Sequence, residues 1–178
     1  MKMQQKRISG KMKTAFHEAG HAVVAYLLRK KFRYITIRAN EVFNGYVRHE
    51  KPRASSENGW DEERNKRSTR EKDILTSLAG GTATLILTGK PDRTGSYADL
   101  HNALDLAGDV CGSKAECDAY VNWLSVRCEA MMRSPSNWYA VEALAHELVK
   151  QERISYRKAR EIIKAAKKEF RDKKQNFA

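Results

Sequence analysis

The chain has 178 residues, of which 41% are hydrophobic and 31% charged, with a formal net charge of +12. That length suits one domain with a core of its own. No apolar run approaches the ~20 residues needed to cross a bilayer, and the basic start lacks the apolar stretch of a secretory signal, so no membrane span and a cytoplasmic address are expected.

The positive charge sits at the ends. Residues 1–33 hold nine Lys/Arg against one acidic residue, and residues 150–178 hold eleven against four. The stretch between them is slightly acidic, with fourteen against seventeen. Such ends are either solvated helix faces or a grip for nucleic acid or an acidic partner. Cys111, Cys117 and Cys128 form no C-x-x-C pair and are odd in number, which reads as reduced thiols.

In chain order, residues 1–13 read as a flexible basic tail. A first helix is predicted from a Thr14 cap to about Lys30. A β-hairpin follows, with Tyr34–Arg38 as one strand, Asn44-Gly45 as the turn signal and Tyr46–His49 as the return. Lys51–Arg67 is polar and charged and reads as a surface loop. Ser68-x-x-Glu71 has capping-box form and opens a helix that stops at Gly89. Pro91 and Gly95 mark a turn, and a helix is expected from Tyr97 to Val110. Ser113-x-x-Glu116 opens another helix to about Arg133. Ser134-Pro135 starts one to about Gln151, and Ser155 caps a last basic helix to about Lys168. The predicted fold is mainly α with one small β-hairpin or sheet. Residues 14–170 form the domain and 171–178 a second basic tail.

The informative segment is Thr14-Ala15-Phe16-His17-Glu18-Ala19-Gly20-His21-Ala22-Val23. It holds His-Glu-x-x-His on a predicted helix. Positions i and i+4 share a helix face, so His17 and His21 can offer both imidazoles to one Zn²⁺. Glu18 lies about 100° round the helix, where it can act as general base toward a water at the metal. A zinc with three protein ligands lowers the pKa of its water to about 7. The bland alternative is a helix with two surface or core histidines. The apolar continuation Ala22–Leu28 argues for a buried helix, whose histidines need partners.

Two histidines leave one protein ligand to find. The metzincin extension would put glycine and histidine where Val24 and Leu27 stand, which excludes that class. The remaining candidates are His49, Asp92, Asp99, His101, Asp105, Asp109 and His146, among which spacing does not choose. Asp99 has the best local setting, in the first turn of a predicted helix after the Gly95 turn.

The zinc-helix segment resembles that of the M41 metallopeptidases, the peptidase domain of FtsH-type AAA proteases. Ser68-Thr69-Arg70-Glu71 through Leu78-Ala79-Gly80-Gly81-Thr82-Ala83 resembles the family's next helix. Thr94-Gly95-Ser96-Tyr97-Ala98-Asp99-Leu100 is similar to its Thr-Gly-x-x-x-Asp-Leu segment, and Val141–Ile154 to its closing helix. The likeness covers roughly residues 12 to 165, in the family's order. It implies a helical zincin-like fold, Asp99 as third zinc ligand and peptide-bond hydrolysis. It also implies that substrate adds as a further strand along Tyr34, Ile35, Thr36 and Ile37 at the site's edge.

The chain departs from the family in two ways. No G-x-x-x-x-G-K-[ST] phosphate loop occurs in the sequence, so a peptidase domain without the family's ATPase module and membrane anchor is expected. The segment after the Asp99 helix is shortened to Cys111-Gly112-Ser113-Lys114-Ala115-Glu116-Cys117. A stand-alone zinc endopeptidase is therefore expected to cut unfolded or flexible polypeptides without ATP, its other partners being a separate ATPase or further copies of itself. The alternative is an inactive peptidase-like binding module that grips nucleic acid or a protein through its basic ends.

Overall fold

A computed structural model of the chain describes residues 8–38, 46–49, 59–92 and 94–176. The histidine-bearing helix, α1 (Gly10–Leu27), starts earlier than its sequence suggests. Ser9 is the cap: its hydroxyl accepts from the Met12 N–H at 3.2 Å. Thr14 lies inside the helix and donates to the Gly10 carbonyl. Ser9 offers the same capping chemistry more than a turn upstream, and nothing in Lys11–Lys13 breaks a helix. The segment read as a tail is thus helical from Gly10.

Every residue from Glu18 to Ala25 is buried, because α1 lies between α2 (Gly59–Thr88) and α5 (Pro135–Gln151). The crossing with α2 is close. A Cβ at Gly20 would come within 2.6 Å of the Ala79 carbonyl oxygen and 2.7 Å of the Ala83 Cβ, so only glycine fits there. That approach presses α2 onto the face of α1 that carries both histidines.

α2 also corrects an expectation. Residues 59–67, read as part of a loop, are helical, and Ser68 is an interior residue rather than a cap. Apart from Trp60 the stretch is polar, so it shows no apolar stripe that would mark a helix. Farther along, the Arg67 guanidinium lies over the Tyr120 ring at 5.9 Å and Glu71 pairs with Arg127. Those contacts dock α2 on α4 (Lys114–Arg133).

The sheet has three strands in the order β2-β1-β3, all antiparallel. They are β1 (Phe32–Thr36), β2 (Tyr46–His49) and β3 (Arg153–Ser155). The expected Asn44-Gly45 turn lies outside the described residues. β1 begins two residues before the expected Tyr34 and ends at Thr36, with Ile37 N–H continuing onto the Glu152 carbonyl at 2.9 Å.

β3 was not expected, being only three residues long. It forms because Glu152, in a left-handed conformation at φ 60°, ends α5 and turns the chain back beside β1. Thr36 pairs with Tyr46 on one side and Arg153 on the other. β1 is therefore central, and its backbone groups are used on both sides. The expectation that substrate adds along Tyr34–Ile37 is corrected on that ground: a central strand has no free ladder.

α3 (Tyr97–Gly108) ends slightly before the expected Val110. Ser113 caps α4 by accepting from Glu116 N–H, and the Glu116 carboxylate accepts from Gly112 N–H at 2.8 Å, close to the capping box expected. The last helix, α6 (Tyr156–Asn176), runs past Lys168 into the stretch read as a tail. Tyr139 of α5 holds that extension, packing on Phe170 and donating its hydroxyl to Glu169 at 2.8 Å. Among the described residues, no helix is long and apolar enough to cross a membrane.

Candidate metal centre

α1 and α3 bring His17, His21 and Asp99 together. His17 Nε2 lies 3.0 Å from Asp99 Oδ2 and His21 Nε2 lies 3.3 Å from the same oxygen. The two Nε2 atoms are 3.1 Å apart. Bonds of ~2.0–2.1 Å meeting at a tetrahedral angle would hold donor atoms about 3.3 Å apart. The three side chains thus form one face of a coordination polyhedron, a group that could hold a metal ion.

The environment fits a cation. Asp99 Oδ2 is buried, and no aligned hydrogen bond reaches it. His21 has its other nitrogen occupied: the Thr76 carbonyl, 2.7 Å from Nδ1, can only accept, so Nδ1 donates and the neutral ring keeps its Nε2 lone pair for the centre. A Cβ on Gly80 would lie 2.4 Å from His21 Nε2 and 2.5 Å from His17 Nε2. Only a glycine lets α2 pass this close behind the donor nitrogens.

The titration of the group follows the same logic. Burial disfavours charge on His21, but Asp99, Glu18 and the Thr76 carbonyl more than offset it and raise its pKa to about 9. Burial also works against an ionised Asp99, but the His21 charge and the contacts with both histidines hold that carboxyl well below the usual carboxylate range. Burial lowers the pKa of His17 despite its contact with Asp99. A cluster that draws a proton between a carboxylate and two imidazoles is arranged for positive charge.

Glu18, 3% exposed, shares this interior, and its Oε2 has no hydrogen-bond partner. Burial pushes its carboxyl up to about 7, with Asp99 adding to the rise and His21 opposing it. A carboxylate poised near neutrality can take up and return a proton at ordinary pH.

Of the other ligand candidates, His101, Asp105 and Asp109 are engaged in ion pairs elsewhere. His101 and Asp105 pair with each other at 3.1 Å on the exposed face of α3, and Asp109 pairs with Arg70 at 2.6 Å. His146 is exposed on α5, edge-on to Phe16. His49 lies in β2. Asp92 has a supporting place: Lys13 of α1 pairs with its Oδ2 at 2.7 Å, and its Oδ1 accepts from Gly95 N–H at 3.1 Å. That link ties the turn before Asp99 to the helix of the histidines. Tyr34, Ile35 and Thr36 lie in β1, and Ile37 follows it.

Sequence reasoning missed Thr76, Gly80 and the Lys13–Asp92 link. Thr76 acts through a backbone carbonyl, which leaves no residue-type signal. Lys13 carried one, standing four residues before His17 on the same helix face. The fold and site define a mainly helical domain with a partly buried His-His-Asp group beside a buried glutamate that has one unpartnered oxygen. The chain matches none of the protein-family models and none of the curated proteins with which it was compared.

Proposed function

We propose that the chain is a zinc-dependent endopeptidase of the FtsH-type, M41 kind, acting on unfolded or flexible polypeptides. The observation that carries this reading is the convergence of His17, His21 and Asp99, from two separate helices, next to a buried Glu18 whose Oε2 has no partner. Two imidazoles and one carboxylate are a three-ligand donor set that would suit zinc in a catalytic role. Zinc, when bound, supplies a Lewis acid that acidifies a water and polarises a substrate carbonyl.

The chain's own residues do the rest. Thr76 and Asp99 orient the two imidazoles, and Glu18 accepts the proton of the attacking water and returns it to the departing amine. Its burial keeps bulk water from competing for the carboxylate and sets its affinity for a proton near the working pH. A substrate backbone would be held by strand addition at the sheet. With β1 central, the free edge on the α1 side is that of β2, which among the described residues pairs with β1 alone and packs on α1.

Such an edge accepts only extended chain, so unaided cleavage is confined to unfolded segments. The test compares zinc-loaded protein acting on casein and on a tightly folded protein. Casein is cut and the folded protein is not; equal rates on both would contradict the restriction, and no cleavage of either would contradict the activity.

A further inference from the structure

The two basic ends of the sequence meet in the fold. β1 and β3 pair side by side, and Glu152 at the start of this junction is flanked by Lys11 at 2.7 Å and Arg38 at 3.5 Å. α6 leaves from there carrying nine Lys/Arg and three acidic residues. At 100° per residue, Arg157, Arg160, Lys164, Lys168 and Arg171 fall within about 80° of one another, along about 21 Å of helix. All five are exposed. Arg157 is partly matched by Glu161 and Arg171 by Asp172. Among the described residues, Arg160, Lys164 and Lys168 form no ion pair, although their i,i+4 spacing sets like charges against one another.

We propose that this face of α6 binds the phosphate backbone of a nucleic-acid duplex, independently of the metal centre. A polyanion relieves the mutual repulsion of the row, and a duplex presents one charge per ~1.7 Å along its axis. Two other polyanions fit less well. Insertion into an anionic membrane needs an apolar helix face, and that of α6 is spent in the core through Ala159, Ile163 and Ala166. Single strands are held by stacking on exposed aromatic rings, and the rings of α6, Tyr156 and Phe170, are partly buried against Phe32 and Tyr139. The row therefore reads charge and not base sequence.

The test uses the full chain and a labelled mixed-sequence DNA duplex of about 24 base pairs, with anisotropy followed from about 50 to 200 mM salt. Five phosphate contacts give a slope of log K against log salt near −4.5 at about 0.9 per contact. The triple variant Arg160→Gln/Lys164→Gln/Lys168→Gln lowers the slope by about 2.7 and weakens binding at least about tenfold at low salt. Because these side chains are exposed, its helicity and melting stay unchanged. The variant Lys114→Gln/Arg133→Gln, which removes the same sign of charge from α4, binds like the parent. Absence of duplex binding at low salt, equal binding by the triple variant, or tighter binding to anionic vesicles or to the single strand would each overturn the proposal.

Discussion

Replacing Gly80 by alanine tests whether the histidine nitrogens are held for a metal. The new methyl would sit 2.4 Å from His21 Nε2, 2.5 Å from His17 Nε2 and 2.6 Å from His17 Cε1. Ordinary contact begins near 3.4 Å, so both rings must yield by about 1 Å or α2 must move away. Metal–ligand bonds tolerate departures of only about 0.2 Å. The variant should therefore lose at least about 100-fold in zinc affinity, equivalent to about 2.7 kcal/mol.

Its metal-free domain should still fold, with a net loss of about 0–2 kcal/mol. Overpacking costs about 1–3 kcal/mol, and replacing a helical glycine by alanine returns up to about 1 kcal/mol. Zinc competition against a chromophoric chelator reads the affinity, and melting in the presence of EDTA reads the fold. Gly108→Ala is the control, since a methyl there meets nothing within 4 Å. Parental zinc affinity in Gly80→Ala, with the fold intact, would refute the reasoning.

Three further outcomes follow from the same geometry. Asp99→Ala should abolish stoichiometric zinc binding while the metal-free domain still folds; undiminished binding would move the third ligand elsewhere. Asp92→Ala should weaken zinc binding about tenfold, because the Lys13–Asp92–Gly95 link positions the turn before Asp99, and an unchanged affinity would assign that link to folding alone. In the metal-free protein His21 keeps its proton up to about pH 9, so zinc must displace it at neutral pH. Affinity should then rise about tenfold per pH unit between pH 7 and 8.5 and level off above about 9. A flat profile over that range would contradict the assigned protonation.

The parts of the fold visible in the sequence were those with residue-type signals. Ser113 and Ser134-Pro135 marked the starts of α4 and α5, and His17, Glu18 and His21 named themselves by spacing. Asp99 was different. Spacing left it among seven candidates, its place in the first turn of a predicted helix favoured it, and the resemblance singled it out. In the fold, Asp92, His101, Asp105 and Asp109 are all engaged in ion pairs of their own, while Asp99 lies with the histidines. The start of α2 was hidden because a single Trp60 among polar residues makes no apolar period. β3 was hidden because three residues carry no pattern, and its pairing is what turned β1 from an edge strand into a central one. Gly80 stood in plain view as a residue of the resemblance, but its function depends on the approach of α2, a tertiary fact.

The most direct measurement pairs zinc content with cleavage of casein for the parent protein and Glu18→Gln. The substitution keeps the shape of the side chain and removes its proton affinity, and Glu18 is not one of the three clustered donors. One zinc per chain is expected in both proteins, with cleavage by the parent and a loss of at least about 100-fold in Glu18→Gln. Cleavage by Glu18→Gln at the parental rate, or a zinc-loaded parent that cuts no unfolded chain, would contradict this expectation.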